Sequence, residues 1–283
     1  TFATDWQLSA LAYQKGLRYV WGPVGGQQIA PRSLRKYLGL RGRVSHFSRY
    51  LAIRTNYWLF GRRAARRCIR ALALNADVSA SISRDACVEV FPNPVVPSGT
   101  RQRSNPSQTL LLGVGRLIPL KGWALAISSL THLPQEFRLV MIGAGPDRER
   151  LKRIAQRLGV STRVTFVGSL PRNQVLDLMS EARCLMLPTL HDSSPWVAAE
   201  AVAAGLPVVA LDLPGPRGIL EGSGNELVDW RRRDLPGAVA LAILNAPASR
   251  SASNVYSQER FDTFLLALYE QVSVAPPSEG GVR

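Results

Sequence analysis

The chain has 283 residues, 46% of them hydrophobic, with a formal net charge of +15 and three cysteines. That length and apolar content suit a globular protein of two domains with a sizeable core, and no apolar run reaches the length needed to span a bilayer. Cys68, Cys87 and Cys184 show no metal-ligand spacing and read as small hydrophobes in a reducing compartment, and the three scattered histidines form no zinc pattern.

The charge is concentrated. No acidic residue lies between Trp6 and Ala76, whereas Lys15, Arg18, Arg32, Arg35, Lys36, Arg41, Arg43, Arg49, Arg54, Arg62, Arg63, Arg66, Arg67 and Arg70 all do. Such a field attracts anionic head groups, nucleic acid or phosphorylated substrates. In chain order, DWQLSALAYQK reads as a short helix ended by Gly16. Leu17 to Trp21 read as a strand entering the loop GPVGGQQIAP, in which Gly25 and Gly26 allow close backbone approach to a ligand or make an ordinary tight turn. Arg32 to Leu74 are mainly helical in pattern, with Tyr50, Leu51, Tyr57, Trp58, Leu59 and Phe60 interleaved with arginines. That segment suits either a membrane interface or a solvated basic face whose apolar stripe packs on its own domain. DVSASIS and VEVFPNPVV read as strands, and PSGTRQRSNPSQ as an interdomain linker.

Beyond the linker a regular alternation begins. The strands are TLLLGVG, FRLVMIGAG, VTFVG, CLMLP, PVVAL and a weaker NELV; the helices are Trp123 to Leu130, Asp147 to Leu158, Asn173 to Ala182, Trp196 to Ala204 and Pro236 to Leu244. Continuous apolar strands separated by helices imply a parallel sheet covered on both faces, with ligand chemistry in the loops at the strand carboxyl ends. Ser257 to Val272 form an amphipathic helix and APPSEGGVR a tail.

Four motifs stand at those strand ends. GVGRLIPLKG places Arg116 and Lys121 where a guanidinium and an ammonium can hold a diphosphate; IGAGPDRERL places Gly143 and Gly145 in a turn before a helix. FVGSLP contains Leu170, and HDSSPWVAAE contains Asp192 and, eight residues on, Glu200. Asp192, Ser193 and Ser194 are good helix caps, so Asp192 also reads as a plain N-cap, Arg116 and Lys121 as ordinary surface charges, and His191 as a structural loop histidine.

With EAVAAGLPVVALD following and WGPVGG upstream, these motifs resemble the retaining nucleotide-sugar glycosyltransferases of the GT-B type, the large family 4 group with an acidic-x7-Glu signature. The usual first acid is Glu, so Asp192 departs from the pattern. The resemblance implies an α/β GT-B architecture of two Rossmann-like domains, the N-terminal one incomplete: a partial acceptor-side domain over 1–106, a nucleotide-sugar domain over 107–250, a helix crossing back over 255–273 and a disordered tail over 274–283. It implies a longer helix between the DVSASIS and VEVFPNPVV strands than the sequence leaves room for. It further implies Asp192 as catalytic, near the donor sugar, with Arg116 and Lys121 on the diphosphate, backbone amides of Ser193, Ser194 and Trp196 beside it, Glu200 on the ribose hydroxyls, Leu170 near the base, Gly143 and Gly145 at the nucleotide, His191 beside the sugar, and Gly25 and Gly26 in the cleft.

No Asp-x-Asp pair is present, so no metal and no cofactor are expected beyond a UDP- or GDP-linked sugar as co-substrate. The expected partners are that donor, a glycan or lipid-linked acceptor and an anionic membrane surface met by residues 32–70, with no specific nucleic acid. The expected location is cytoplasmic, peripheral on the inner membrane face. A complete N-terminal domain of this kind needs about 150 to 200 residues, so a fragment inactive on its own is expected. Two other readings remain open: a sugar-nucleotide epimerase or hydrolase on the same fold, and a non-catalytic module binding membrane or nucleic acid through the arginine segment.

Overall fold

The structure, a computed structural model, describes residues 18–26, 29–92, 94–96, 103, 106–248 and 256–274. The expected helix of DWQLSALAYQK, most of the linker and the tail lie outside the described residues.

The first unit opens with strand β1 (Val20–Val24) and, after a 3₁₀ turn at Arg32–Leu38, helix α1 (Gly39–Asn56). A π-helical turn at Tyr57–Gly61 leads to α2 (Arg62–Arg67), followed by β2 (Arg70–Ala73), α3 (Ala76–Ile82) and β3 (Val88–Val90). The three strands pair in parallel in the order β1-β2-β3. Three expectations are corrected here. The helical segment ends before Leu74, because Arg70–Ala73 is the central strand of this sheet. DVSASIS is a helix: Asn75 caps it, its side chain accepting from the Val78 amide at 3.1 Å, and Val78 and Ile82, one turn apart, are fully buried. The helix between the strands is therefore α3 itself, following β2, and VEVFPNPVV keeps only three residues of strand.

Much of the arginine run is engaged. Arg62 and Arg66 pair with Asp85 at 3.3 and 2.9 Å, and Arg70 pairs with Glu89 at 2.9 Å. The charge density legible in the sequence therefore partly holds α2 and β2 to the α3–β3 side of the unit.

The second unit alternates as expected: β4 (Leu110–Val114), α4 (Trp123–Ser129), β5 (Arg138–Ile142), α5 (Arg148–Arg157), β6 (Val164–Gly168), α6 (Arg172–Glu181), β7 (Cys184–Leu187), α7 (Trp196–Ala203), β8 (Val208–Leu211), α8 (Pro214–Leu220), β9 (Glu226–Val228) and α9 (Leu235–Asn245). Its six strands pair in parallel in the order β6-β5-β4-β7-β8-β9. Every residue of β7 and β8 is buried, as continuous apolar strands between two helical layers require. α8 was not expected from PGPRGIL; Pro214 suits a first helical turn, and at Gly215 a Cβ would lie 1.8 Å from the Asp192 carbonyl oxygen. Of the cysteines, all three free, Cys184 is buried, Cys68 half-buried and Cys87 exposed.

Helix α10 (Gln258–Val274) returns to the first unit. Phe264 stacks on Phe91, which follows β3, with ring centroids 3.6 Å apart, and the Arg18 guanidinium donates to the Ser273 carbonyl at 3.2 Å. At its start, the Tyr256 hydroxyl donates to the Ile219 carbonyl at 2.7 Å, so the helix bridges both units. Among the described residues no helix is long and apolar enough to cross a membrane.

Candidate active site

The strand order of the second sheet reverses between β4 and β7. In a doubly wound sheet, such a switch point opens a crevice at the strand carboxyl ends. A cavity of about 270 Å³ lies there, lined by Arg116, Ile118, Leu120 and Lys121 after β4, by His191 to Ser194 and Trp196 after β7, and by Gly25, Gly26, Arg49 and Leu74 of the first unit.

The two strand-end loops are laced together. The Leu190 amide and the Thr189 hydroxyl both donate to the Leu120 carbonyl, at 2.9 and 3.3 Å. At Gly122, whose φ of 70° is left-handed, a Cβ would come within 1.9 Å of the Pro188 carbonyl oxygen, so this close approach needs glycine. The buried Trp123 indole donates to the Arg116 carbonyl at 2.9 Å and fixes the loop that carries that arginine.

Within the cavity, the Lys121 ammonium lies 2.5 Å from an Asp192 carboxylate oxygen. Asp192 is therefore engaged by a cation and does not cap α7. The N-cap is Pro195, with no side-chain hydrogen bond, so the first-turn amides of α7 lack a capping side chain. The Ser194 hydroxyl oxygen is buried and finds no partner among the described residues. Trp196 stands half-exposed in the lining. Burial, then Arg49 and His46, pushes His191 down to about 4, so its imidazole is neutral near pH 7. Its ring meets His46 edge-on at 6.3 Å.

The first unit grips the same loop. Asn75, 1% exposed, donates from Nδ2 to the Ser193 carbonyl at 2.8 Å while its Oδ1 caps α3. A Cβ on Gly25 would lie 3.0 Å from the Ser193 hydroxyl oxygen and 2.7 Å from Leu74 Cδ1. Gly25 thus packs against the loop after β7 as well as lining the cavity.

Glu200, Leu170, Gly143 and Gly145 do not line it. Glu200, one turn into α7 from Trp196, accepts from the Arg172 guanidinium at 3.0 Å, which ties α7 to the start of α6. Leu170, just before α6, packs against the buried cluster on that face of the sheet. A Cβ on Gly143 would lie 2.0 Å from the Gly115 carbonyl oxygen and one on Gly145 2.3 Å from that of Leu117. These glycines let the chain after β5 approach the Arg116 loop and support it from behind. Asp147 and Glu149 pair with Arg150 and Lys152, and among the described residues no group of three metal-ligating side chains occurs.

Sequence reasoning missed Arg49, Asn75, His46 and Arg172. Arg49 was one of fourteen basic residues without a distinguishing pattern. Asn75 had a legible signal, a capping residue three before a buried valine, hidden by reading the segment as a strand.

Residues 100–229 match the family model Glycosyl transferases group 1. The chain is 30% identical over 182 residues to the D-inositol 3-phosphate glycosyltransferase of Xylanimonas cellulosilytica, an alignment covering 60% of this chain and 44% of that protein. It therefore spans less than half of that relative's length. Among solved structures, it is similar to the lipopolysaccharide outer core galactosyltransferase WaaB, with a TM-score of 0.62, 21% identity and coverage of 75% of this chain and 64% of that one. It is likewise similar to the pneumococcal O-GlcNAc transferase GtfA in complex with UDP and GlcNAc, with a TM-score of 0.63, 16% identity and coverage of 78% and 48%. The architecture is GT-B, its two parallel sheets belonging to two Rossmann-like units.

Proposed function

We propose that the protein is a glycosyltransferase that takes a sugar from a nucleoside-diphosphate donor, UDP- or GDP-linked, and transfers it with retention and without a metal to a glycan or lipid-linked acceptor. The observation that carries this reading is the meeting of Arg116, the Lys121–Asp192 pair and the uncapped start of α7 in one cavity at the switch point. Fixed cations and helix amides aimed at one place stabilise the charge of a departing diphosphate. The match to the group 1 family model and the UDP complex of the structural relative support the same reading.

In this account the diphosphate lies between Arg116, Lys121 and the amides that begin α7, and the Ser194 hydroxyl gains its missing partner from the donor. Glu200 has one oxygen on Arg172 and uses the other for ribose hydroxyls. The neutral His191 exchanges hydrogen bonds with the sugar without adding charge. Asp192 orients Lys121 and faces the sugar. The bond from the anomeric carbon to the diphosphate breaks as the acceptor oxygen attacks from the same face, and the acceptor proton passes to the leaving phosphate oxygen.

An anionic membrane as partner has separate support. Leu40, Val44, Phe47 and Leu51 stand at helical spacing along α1 and continue to Trp58; Leu40 is 80% exposed, and Phe47 and Trp58 are each 66% exposed. Arg43 and Arg54 stand exposed among them, the pattern of a helix lying in a lipid interface. Pelleting with phosphatidylglycerol vesicles but not phosphatidylcholine vesicles, weakened by Phe47→Ser, is the expected result.

Calorimetric titration with UDP, GDP and ADP in the presence of EDTA tests the donor reading: saturable binding of one of them supports it, and no binding of any removes it. Retention is read from the anomeric configuration of the product by NMR, where an inverted product would exclude the same-face mechanism.

A further inference from the structure

A second cavity, about 400 Å³, adjoins the first and shares Arg49, Arg116, Ile118 and Leu120 with it. Arg41, Gly42, Ser45 and His46 of α1 form one wall, and Pro119, Pro146 and Asp147 close the other. Arg41, Ser45 and Arg49 are spaced by four residues, which sets them about 6 Å apart along one helix face. Gly42 makes this wall possible, since a Cβ there would lie 2.7 Å from the Pro119 ring.

The charge of this cavity is one-sided. Arg41, Arg49 and Arg116 make no hydrogen bond or ion pair from their guanidinium groups among the described residues. The one carboxylate in the lining, Asp147, is buried and held by two Arg150 nitrogens at 2.7 and 2.9 Å. His46 accepts from the Ala30 amide at 3.1 Å, and burial, then Arg35 and Arg49, holds its pKa below the usual range, so it is a neutral wall. Three arginines thus line one space in which the one lining carboxylate is already paired, and guanidinium matches phosphate oxygens in planar, two-pronged hydrogen bonds.

We propose that the acceptor carries a phosphate and that this cavity holds it, with Arg41 and Arg49 on the phosphate and the acceptor's hydroxyl directed past Arg49 into the donor cavity. The proposal rests on the transferase reading for the word acceptor; the anion site itself rests on the geometry above. Arg49, common to both cavities, then faces donor and acceptor together, whereas Arg41 touches the acceptor alone.

The experiment titrates UDP-saturated protein, whose diphosphate site is filled, with sn-glycerol 3-phosphate and with glycerol. A parallel arm uses vesicles of phosphatidic acid in phosphatidylcholine, which separates a lipid phosphate from a free one. The expected result is saturable binding of a phosphate monoester in one of the two forms, none of glycerol, and a loss of about tenfold or more in Arg41→Gln, with UDP affinity unchanged in that variant. Absence of phosphate binding in both arms, or binding that Arg41→Gln and the double variant Arg41→Gln/Arg49→Gln leave intact, overturns the proposal. Should none of UDP, GDP and ADP bind, the donor reading falls by itself. The same titration without UDP then decides the cavity, since phosphate binding lost in Arg41→Gln upholds the anion site and binding retained removes it.

Discussion

Asn75 offers a sharp perturbation because one buried amide serves two units. Its Oδ1 caps α3 and its Nδ2 holds the Ser193 carbonyl of the candidate donor loop. Asn75→Ala loses the cap, worth about 1 kcal/mol, and a buried hydrogen bond worth about another 1 kcal/mol, so urea denaturation should show a loss of about 2 kcal/mol. Asn75→Asp keeps an acceptor for the Val78 amide but turns a carboxylate toward the Ser193 carbonyl, so it retains the cap and loses the link between units. If the link positions the loop, both variants weaken nucleotide binding in calorimetry, although the aspartate variant keeps the α3 cap. An aspartate variant equal to the parent in both urea midpoint and nucleotide affinity would refute the reasoning.

Gly25→Ala drives a methyl group against Ser193 and Leu74 and should cost about 1 to 3 kcal/mol in denaturation, together with a weaker nucleotide titration. The depressed His191 gives a pH dependence of known sign. The unfolded chain protonates near 6.5 and the folded one near 4, so stability is full above about 6.5 and falls as pH drops toward 4. His46 contributes in the same direction, and urea midpoints measured across that range in His191→Asn should fall less steeply than in the parent. Glu200→Gln replaces a charge-assisted acceptor worth about 1.5 to 3 kcal/mol, which predicts a roughly tenfold to hundredfold weaker nucleotide titration. An unchanged dissociation constant there would remove the ribose role.

Most of the second sheet was legible because β4, β7 and β8 are continuous apolar runs bounded by turn residues, whereas α8 was not read from PGPRGIL. Glycine also marked the loops: Gly122, Gly143 and Gly145 each permit a backbone approach closer than a Cβ would allow. The first unit was harder to read. Val78, Ala80 and Ile82 alternate with serines as a strand would, yet Val78 and Ile82 also share a helix face, and the Asn75 cap decides between the two periods. The basic run hid two kinds of arginine, those held by Asp85 and Glu89 and those left facing cavities, because only tertiary packing separates them. The contact between Asn75 and Ser193 spans 118 residues of sequence, a distance over which no local pattern carries information.

The most direct measurement is a crystal structure of the chain with UDP. The account predicts the diphosphate between Arg116, Lys121 and the first turn of α7, with the ribose toward Glu200. Nucleotide bound elsewhere, as in the cavity between β9 and α9 lined by Arg232 and Arg233, would contradict it.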